Sequence, residues 1–235
     1  MAKKNIILSA KTMGISTPIV ARGLNPHEAI RQSALNLDGP ALDETLYAHD
    51  LVLVDAAPNG VPGFNHLPKL SSTTGETTIA TYASDRGIDG VTTLADFVTK
   101  FAGRLGLVLF GSEQAKMNML DEVCGEDSIE CEYNNVIMLK DAYIKRVILP
   151  AVDETFASQV VIGGCLKLVA LSAEADNVFG TGSEGKIVLT ASYDGTAPTV
   201  YDTTNIADIP GTTVINAGTY KDNDGHLFTT IDFVC

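Results

Sequence analysis

The sequence has no tryptophan, and phenylalanine and tyrosine together make up 6% of its 235 residues. So few rings argue against a carbohydrate-binding cleft and against a stacking platform for single-stranded nucleic acid. No apolar run approaches the roughly 18 residues that a membrane helix needs, and the longest candidate, 160–171, is interrupted by Lys167. The apolar run at residues 6–8 is also too short for a signal-peptide core. We therefore expect a soluble chain without signal peptide, transmembrane segment or membrane partner.

Cysteine is scarce as well, with Cys124, Cys131, Cys165 and Cys235 spread over the second half of the chain. Four cysteines in a chain of this length do not make a disulfide scaffold, and without a Cys-x-x-Cys pair the spacing fits no zinc finger or ribbon. We expect thiols that are kept reduced in a cytosol. Under oxidising conditions two disulfides are possible, one between Cys124 and Cys131 across a turn and one between Cys235 and another copy of the chain.

Basic residues are outnumbered, with 16 lysines and arginines against 29 acids and a net charge of −13. Such a charge opposes the phosphate backbone, so we expect no nucleic-acid partner. The first 40 residues depart from this balance, because they carry five bases, Lys3, Lys4 and Lys11 among them, and two acids. A basic arm of this kind can dock on the acidic face of a neighbouring copy. Ordinary variation at the surface is the other explanation.

The pattern of apolar residues and turn formers predicts an α+β fold dominated by β-strands. Residues 1–150 are expected to form an α+β region with about three helices, and 151–235 an antiparallel β-sandwich or barrel, either as separate units or as one continuous domain. The predicted helices span residues 25–37, 93–102 and 112–124. The predicted strands of the first region span residues 5–9, 51–54, 78–82, 105–110, 136–139 and 142–149, and Pro150 is expected to end the last of them.

Capping residues support two of these helices. Asn25 can cap the first helix, Pro26 suits its first turn, and Glu28 lies three residues after the cap. Thr93 and Asp96 repeat this spacing at the start of the second helix. Both helices are therefore predicted with a defined first residue.

Residues 57–90 are rich in Pro, Gly, Asn, Ser and Thr and predict a long loop. Loops of this length in compact domains usually carry function or contact a partner. The loop contains His66, the one histidine that we single out as a candidate site residue. Farther along, residues 121–132 hold six acids and no base. This run is either a site for a hard cation such as calcium or a solvated acidic turn.

Residues 180–186, Gly-Thr-Gly-Ser-Glu-Gly-Lys, match the G-x-x-x-x-G-K spacing of a phosphate-binding loop. That loop also needs a Ser or Thr after the lysine and a helix that begins there. The next residue is Ile187, and 187–191 has the β-branched composition of a strand. We therefore interpret this stretch as a glycine-rich hairpin connection.

Residues 222–225, Asp-Asn-Asp-Gly, look like part of a calcium loop. If Gly225 occupies the sixth loop position, Tyr220 and Ile231 fall on the first and twelfth positions, where acidic ligands are required. The match fails, and Asp-Gly between two apolar runs predicts a hairpin turn instead. The Asp-Gly pair at 194–195 predicts a similar turn.

Motifs for catalysis are missing from the sequence. The chain has no G-x-S-x-G and no H-E-x-x-H, and its four histidines are scattered. Isolated acids can pair for acid–base chemistry only where the fold brings them together, which the sequence does not show. We therefore expect no enzyme, no cofactor and no metal site.

In general style the sequence resembles the virion structural proteins of tailed bacteriophages. The resemblance is one of composition, carried by the Met-Ala-Lys-Lys arm and by the Gly/Thr/Asp-rich stretches at 190–196 and 211–214. It implies a non-catalytic subunit that self-assembles or coats an assembly, as a capsid decoration or cement protein or as a tail-tube or neck component. It also implies a homo-oligomer, other virion proteins as partners, and a place in the virion after assembly in the host cytoplasm.

Two other functions stay open on the sequence alone. One is a β-rich module that binds a ligand or receptor through the turns at 194–198 and 221–226. The other is a hydrolase of unrecognised type, which a deep pocket with convergent ionisable groups would favour. For the assembly subunit, the candidate interface residues are Lys3, Lys4, Lys11, His66, Asp222 and Asp224.

Overall fold

We describe the fold from a computed structural model of the chain. Its described residues are 19–22, 31–33, 49–56, 62–70, 79–110, 133–222 and 225–235. Twelve strands lie in this part of the chain: β1 Ile19–Arg22, β2 Arg31–Ser33, β3 Leu51–Ala56, β4 Pro62–His66, β5 Leu105–Phe110, β6 Tyr133–Met138, β7 Tyr143–Val152, β8 Leu166–Leu171, β9 Ile187–Ala191, β10 Tyr201–Ile209, β11 Thr213–Lys221 and β12 Leu227–Val234. Four short α-helices accompany them: α1 Ile79–Ser84, α2 Leu94–Phe101, α3 Phe156–Gln159 and α4 Glu174–Phe179. The predicted mixed fold dominated by strands is confirmed.

Every pair of neighbouring strands is antiparallel, and the strands form three sheets. The first sheet has the order β1-β7-β12-β11, the second the order β2-β6-β5-β3-β4, and the third the order β10-β8-β9. Across the described residues none of the three sheets closes on itself. The barrel expected as one option for residues 151–235 is therefore not what these strands form.

The central strand β7 pairs with β1 on one side and with β12 on the other. It runs through Pro150 to Val152, so the prediction that Pro150 ends the strand is wrong. Proline has no N–H to donate to a ladder, but here the ladder is already interrupted on both sides. The pairing with β1 covers only residues 143–145, and the register with β12 shifts at residue 229. A proline is tolerated at such an irregularity.

Helix α2 begins where the sequence predicts it. The Thr93 hydroxyl accepts a hydrogen bond from the Asp96 N–H at 3.1 Å, and the Asp96 carboxylate accepts one from the Thr93 N–H at 2.9 Å. These two bonds form a capping box. Hydrogen bonds, first among them the one from the Thr93 hydroxyl, lower the pKa of Asp96 to about 2. The buried face of α2 packs on β8 and β10 and consists of Leu94, Phe97, Val98 and Phe101.

Residues 79–82 of the strand predicted at 78–82 lie instead in the helix α1. Its buried residues Ile79, Tyr82 and Ala83 recur at the three- and four-residue spacing of a helix face. Tyr82 packs on Phe97 of α2, with ring centroids 6.2 Å apart. The β-branched residues of the segment favour a strand locally, but burial of this face against α2 decides for the helix.

Residues 57–90, expected as one long loop, also contain the strand β4. β4 lies at the edge of the second sheet and pairs with β3 alone among the described strands. Its first residue is Pro62, a position where an edge strand accepts proline because no ladder hydrogen bond is lost. The proline and glycine that indicated a loop are therefore compatible with an edge strand.

Residues 31–33 of the helix predicted at 25–37 form the strand β2. They pair antiparallel with β6, with Arg31 opposite Asn135. The caps favour a helix locally, but pairing at a sheet edge overrides so weak a preference. The other residues of this helix, the predicted helix 112–124 and the predicted strand 5–9 lie outside the described residues.

The turn predicted at 194–195 is present, but it does not join a hairpin. β9 and β10 are separated by β8 in the third sheet, so the chain crosses from one side of β8 to the other. The Asp194 N–H donates to Gln159 O at 2.8 Å. This bond fixes the bend against the end of α3.

Buried side chains from all three sheets form one hydrophobic core. The first and second sheets also meet in a buried hydrogen bond, in which His49 Nδ1 accepts from the Ile148 N–H at 3.1 Å. His49 is buried and has a left-handed φ of 76°. Its own N–H donates to Val108 O at 2.8 Å. One residue therefore fixes β7 against β5.

Candidate functional site

The last strand of the first sheet, β11, pairs with one neighbouring strand, β12, within the described residues. Its nine residues, Thr-Val-Ile-Asn-Ala-Gly-Thr-Tyr-Lys, contain neither proline nor an acid, and their one charge is Lys221. Edge strands are usually blocked by charges, proline, bulges or a covering segment, because their open backbone groups pair with other chains. Within the described part of the chain, no proline, acid or covering strand protects the second half of β11.

The hydrogen-bond pattern shows which backbone groups of β11 face outward. The Asp222 N–H donates to His226 O at 2.9 Å, and hydrogen-bonded pairs alternate along an antiparallel ladder. Asp222 and His226 form one such hydrogen-bonded pair. Every second residue before Asp222 therefore directs its backbone N–H and C=O groups away from β12, and these residues are Lys221, Thr219 and Ala217. These outward groups take part in no hydrogen bond with any other described residue.

The start of the same edge is covered. The Val214 N–H donates to Gly164 O and the Gly163 N–H donates to Val214 O, both at 2.8 Å. The register with β12 then shifts, which leaves Ile215 as a bulged residue. The bulge separates the covered start of β11 from its open part, residues 216–221, which we call the open edge.

Three exposed aliphatic side chains lie where the covered start meets the open edge. They are Val161, Ile162 and Ile215, which are 39%, 56% and 43% exposed. The bonds between 163–164 and Val214 bring the two backbone segments that carry them together. Single exposed aliphatic residues are ordinary, but a group of them beside the outer side of an edge strand indicates a contact surface. We call this group the aliphatic patch.

The far end of β11 is closed by the hairpin turn that the sequence predicts at 222–225. The Asp222 carboxylate accepts a hydrogen bond from the His226 N–H at 2.7 Å, and its second oxygen lies 3.1 Å from His226 Nδ1. Because an ionised carboxylate can only accept, Nδ1 carries the proton of this bond. β11 and β12 are antiparallel neighbours on either side of the turn, so the prediction is confirmed.

The Asp222 side chain is fully buried, whereas that of His226 is 46% exposed. An imidazole oriented by a carboxylate is also the arrangement of a general base. Among the described residues, however, no hydroxyl or thiol hydrogen-bonds to the other ring nitrogen. The ring instead meets Phe228 edge-on, with centroids 6.4 Å apart. The pair therefore stabilises the turn.

The phosphate-loop candidate at 180–186 lies in the connection between β8 and β9, which are antiparallel neighbours. Helix α4 precedes the loop and a strand follows it, the reverse of a phosphate-binding loop. The Asp176 carboxylate accepts hydrogen bonds from the Ser183 N–H at 2.7 Å and the Glu184 N–H at 2.9 Å. These bonds, led by that from Glu184, lower the pKa of Asp176. The backbone N–H groups of the loop therefore already bind a carboxylate of the same chain, that of Asp176. The loop is the hairpin connection that the sequence predicts.

The structure describes two of the six candidate interface residues. Asp222 lies at the turn that ends the open edge. His66 is the last residue of β4, opposite Val52 of β3, and its side chain lies outside the described part. Outside it as well are Lys3, Lys4, Lys11 and Asp224, so the interface role of the set stays a prediction.

The thiols of Cys165 and Cys235 are free and half-buried. Cys235 Sγ contacts Ala142 O at 3.7 Å, and burial raises the pKa of this thiol, which disfavours a reactive thiolate. Cys124, Cys131 and the acidic run 121–132 lie outside the described residues. Within the described ones, no three His, Cys, Asp or Glu side chains are grouped to hold a metal ion. Nor does that part include a helix of the length and apolarity that crossing a membrane requires.

Sequence reasoning missed the open edge and the aliphatic patch. A signal was present, because residues 215–220 contain no charge and no proline. That signal becomes informative only once β11 is known to lie at the edge of its sheet. Its position depends on how β1, β7 and β12 pair, and these strands lie far apart in sequence.

Comparisons with known proteins give no relative of this chain. No protein-family model, no curated protein and no solved structure matches it. The support for the candidate site is therefore the geometry of β11 and its surroundings.

Proposed function

We propose that the chain is a virion structural subunit without catalytic activity, which self-assembles or coats an assembly. In a tailed bacteriophage such a subunit is a capsid decoration or cement protein, or a tail-tube or neck component. Its partners are then other copies of the chain and other virion proteins.

The open edge of β11 is the observation that carries this proposal. The outward N–H and C=O groups of Ala217, Thr219 and Lys221 can pair with an incoming strand, which would also cover the aliphatic patch at Ile162 and Ile215. On a protein that works alone, such an edge is a risk of aggregation. On a subunit that assembles, it is a contact site.

Composition supports the virion setting. The Met-Ala-Lys-Lys arm and the stretches at 190–196 and 211–214 have the texture of virion structural proteins. The arm is basic, whereas residues 151–235 carry three bases and eleven acids, a net charge of 3 − 11 = −8. Opposite charges on one chain favour contacts between copies.

We also infer that the first and third sheets face each other as a sandwich. β7 of the first sheet lies close to β9 of the third. Val147 of β7 and Leu189 of β9 belong to the same buried core. Inner faces that share a core support this packing.

Sedimentation velocity over a wide range of protein concentration, with electron microscopy of the same samples, tests self-assembly. We expect sedimentation coefficients that rise with concentration and particles of regular form. A chain that remains monomeric at every concentration, and that is missing from purified virus particles, would contradict the proposal.

A further inference from the structure

We propose that residues 1–11 of one copy add to the open edge of β11 of a neighbouring copy as a fifth strand of the first sheet. This inference rests on the proposed function, because it names the contact through which copies assemble. The incoming segment and the edge match in hydrogen bonding and in apolar surface, and the acidic region 151–235 attracts the basic segment.

The edge offers a regular set of hydrogen-bonding groups. Ala217, Thr219 and Lys221 present their N–H and C=O groups on the side away from β12. An extended segment laid beside them completes the ladder, as in other cases of strand addition. The short strand predicted at residues 5–9 has the length for this pairing.

The apolar surfaces correspond as well. Ile162 is 56% exposed and Ile215 is 43% exposed, and both flank the open edge at its bulge. Residues 6–8 are Ile-Ile-Leu, the one apolar run in the first eleven residues. Pairing at the edge brings these side chains within reach of the patch, and their burial favours the contact.

Charge draws the basic segment towards the acidic region that contains the edge. Residues 1–11 contain Lys3, Lys4 and Lys11 and no acid, whereas residues 151–235 have a net charge of −8 (3 bases, 11 acids). Lys221 is the single charge on β11 itself. The attraction therefore comes from the acidic region as a whole, and salt should weaken it.

Topology makes the contact one between different surfaces. β1 and β11 are the two edges of the first sheet, and residues 1–11 precede β1. The donated segment thus precedes one edge strand in the chain, and the receiving strand is the other edge. Such a head-to-tail contact builds rings or filaments rather than closed pairs.

Complementation between two variants tests the head-to-tail contact. Deletion of residues 1–11 leaves a copy that can receive but not donate. Thr219→Pro removes an outward N–H and leaves a copy that can donate but not receive. We expect each variant to sediment as a monomer and a mixture of both to form pairs, whereas Thr219→Ala, which keeps the outward N–H, assembles like the unaltered chain. Full assembly of the deletion variant, or a mixture that stays monomeric, overturns the inference.

A binding measurement keeps the test valid if Thr219→Pro fails to fold. A fluorescent peptide of residues 1–11 is titrated with the deletion variant and followed by anisotropy. We expect binding that weakens at high salt, and that falls about tenfold or more when the three lysines are replaced by glutamate. No binding, or equal binding of the glutamate peptide, overturns the inference.

The two measurements separate this inference from the proposed function. If the unaltered chain assembles but does not use the arm, the deletion variant assembles too, so the function stands and the inference falls. If the unaltered chain is monomeric, self-assembly fails. If the peptide then binds the deletion variant but not the unaltered chain, residues 1–11 occupy β11 of their own copy. This result also overturns the contact between copies.

Discussion

β10 and β11 are both nine-residue strands at sheet edges, yet their open sides differ. In β10 the register with β8 shifts between Asp202 and Ile206, and the residues between them bulge out. The Asp202 carboxylate accepts hydrogen bonds from the Thr204 N–H at 2.9 Å and from Asn205 Nδ2 at 2.7 Å. In β11, residues 216–221 continue in register without such a device.

This difference shows how a side chain can close an edge. In β10 the carboxylate binds a backbone N–H of its own strand, so that donor is no longer offered to another chain. Asp208 adds a charge to the same strand and pairs with Lys167 of β8. Bulges and charges are common means of protecting an edge. Because the chain protects β10 in this way, we interpret the open β11 as a functional surface.

The largest effect is expected from proline on the two sides of β11. Gly218→Pro removes an N–H that bonds to β12, so we expect a loss of about 3 kcal/mol in the free energy of unfolding. Thr219→Pro removes an outward N–H and should cost about 1 kcal/mol or less. Urea denaturation of both variants measures this contrast. Equal losses would mean that the outward and inward residues of β11 are assigned incorrectly.

The next effect concerns the turn that sets the register of β11. Asp222→Ala leaves the His226 N–H without its acceptor and empties a buried carboxylate position, so we expect a loss of about 2 kcal/mol. Asp222→Asn keeps an acceptor for that N–H and should lose less. Thermal unfolding of both variants compares them. Equal stability of all three chains would show that the turn does not depend on this side chain.

Removal of the protection on β10 should have a smaller effect on stability. Asp202→Ala loses the hydrogen bonds from Thr204 and Asn205, and we expect a cost of about 1 kcal/mol. It also frees an edge, so association through β10 should increase. Sedimentation of Asp202→Ala combined with Thr219→Pro isolates this new contact. If the double variant stays monomeric, the carboxylate is not what protects β10.

The same carboxylate gives a pH dependence. Burial raises the pKa of Asp202, but the hydrogen bonds from Thr204 and Asn205 outweigh it, so the pKa lies below its ordinary value. Its contribution to stability is therefore present above the unfolded pKa of about 4, and is lost as the pH falls through the lower folded pKa. We expect Asp202→Asn to unfold with a weaker pH dependence below about pH 4, measured by thermal unfolding as the pH is lowered.

The smallest effect is expected at Tyr201, the first residue of β10. Its ring is buried edge-on against Phe156, with centroids 5.8 Å apart, and its hydroxyl lies beside Thr190 but makes no well-formed hydrogen bond to any described residue. Tyr201→Phe keeps the ring and removes the unsatisfied group, so stability should change by about 0.5 kcal/mol or less, or increase slightly. A loss above about 1 kcal/mol would indicate a partner for this hydroxyl. Thermal unfolding is sufficient to decide.

Local signals in the sequence predicted the elements that local chemistry determines. Thr93 and Asp96 predicted the start of α2 because the capping box uses neighbouring residues. The strand at 105–110 was predicted from its apolar run and agrees with β5. The hairpin at 222–225 followed from Asp-Gly between apolar segments.

Predictions failed where distant partners decide. Residues 31–33 carry helix signals but pair with β6, and 79–82 carry strand signals but pack against α2. Pro150 does not end β7, because the strands beside it leave a gap in the ladder. The open edge belongs to the same class, since no local pattern shows which strand lies last in a sheet.

The pairing of β7 also bears on the timing of folding during synthesis. The first sheet needs β1, β7 and β12 together, and His49 bonds to a residue 99 positions later. Contacts between such distant residues slow folding, because long loops must close first. β11 obtains its ladder only when residues 227–234 have left the ribosome. A nascent chain therefore has no completed edge to offer, and the assembly that we propose through β11 would have to follow completion of this ladder.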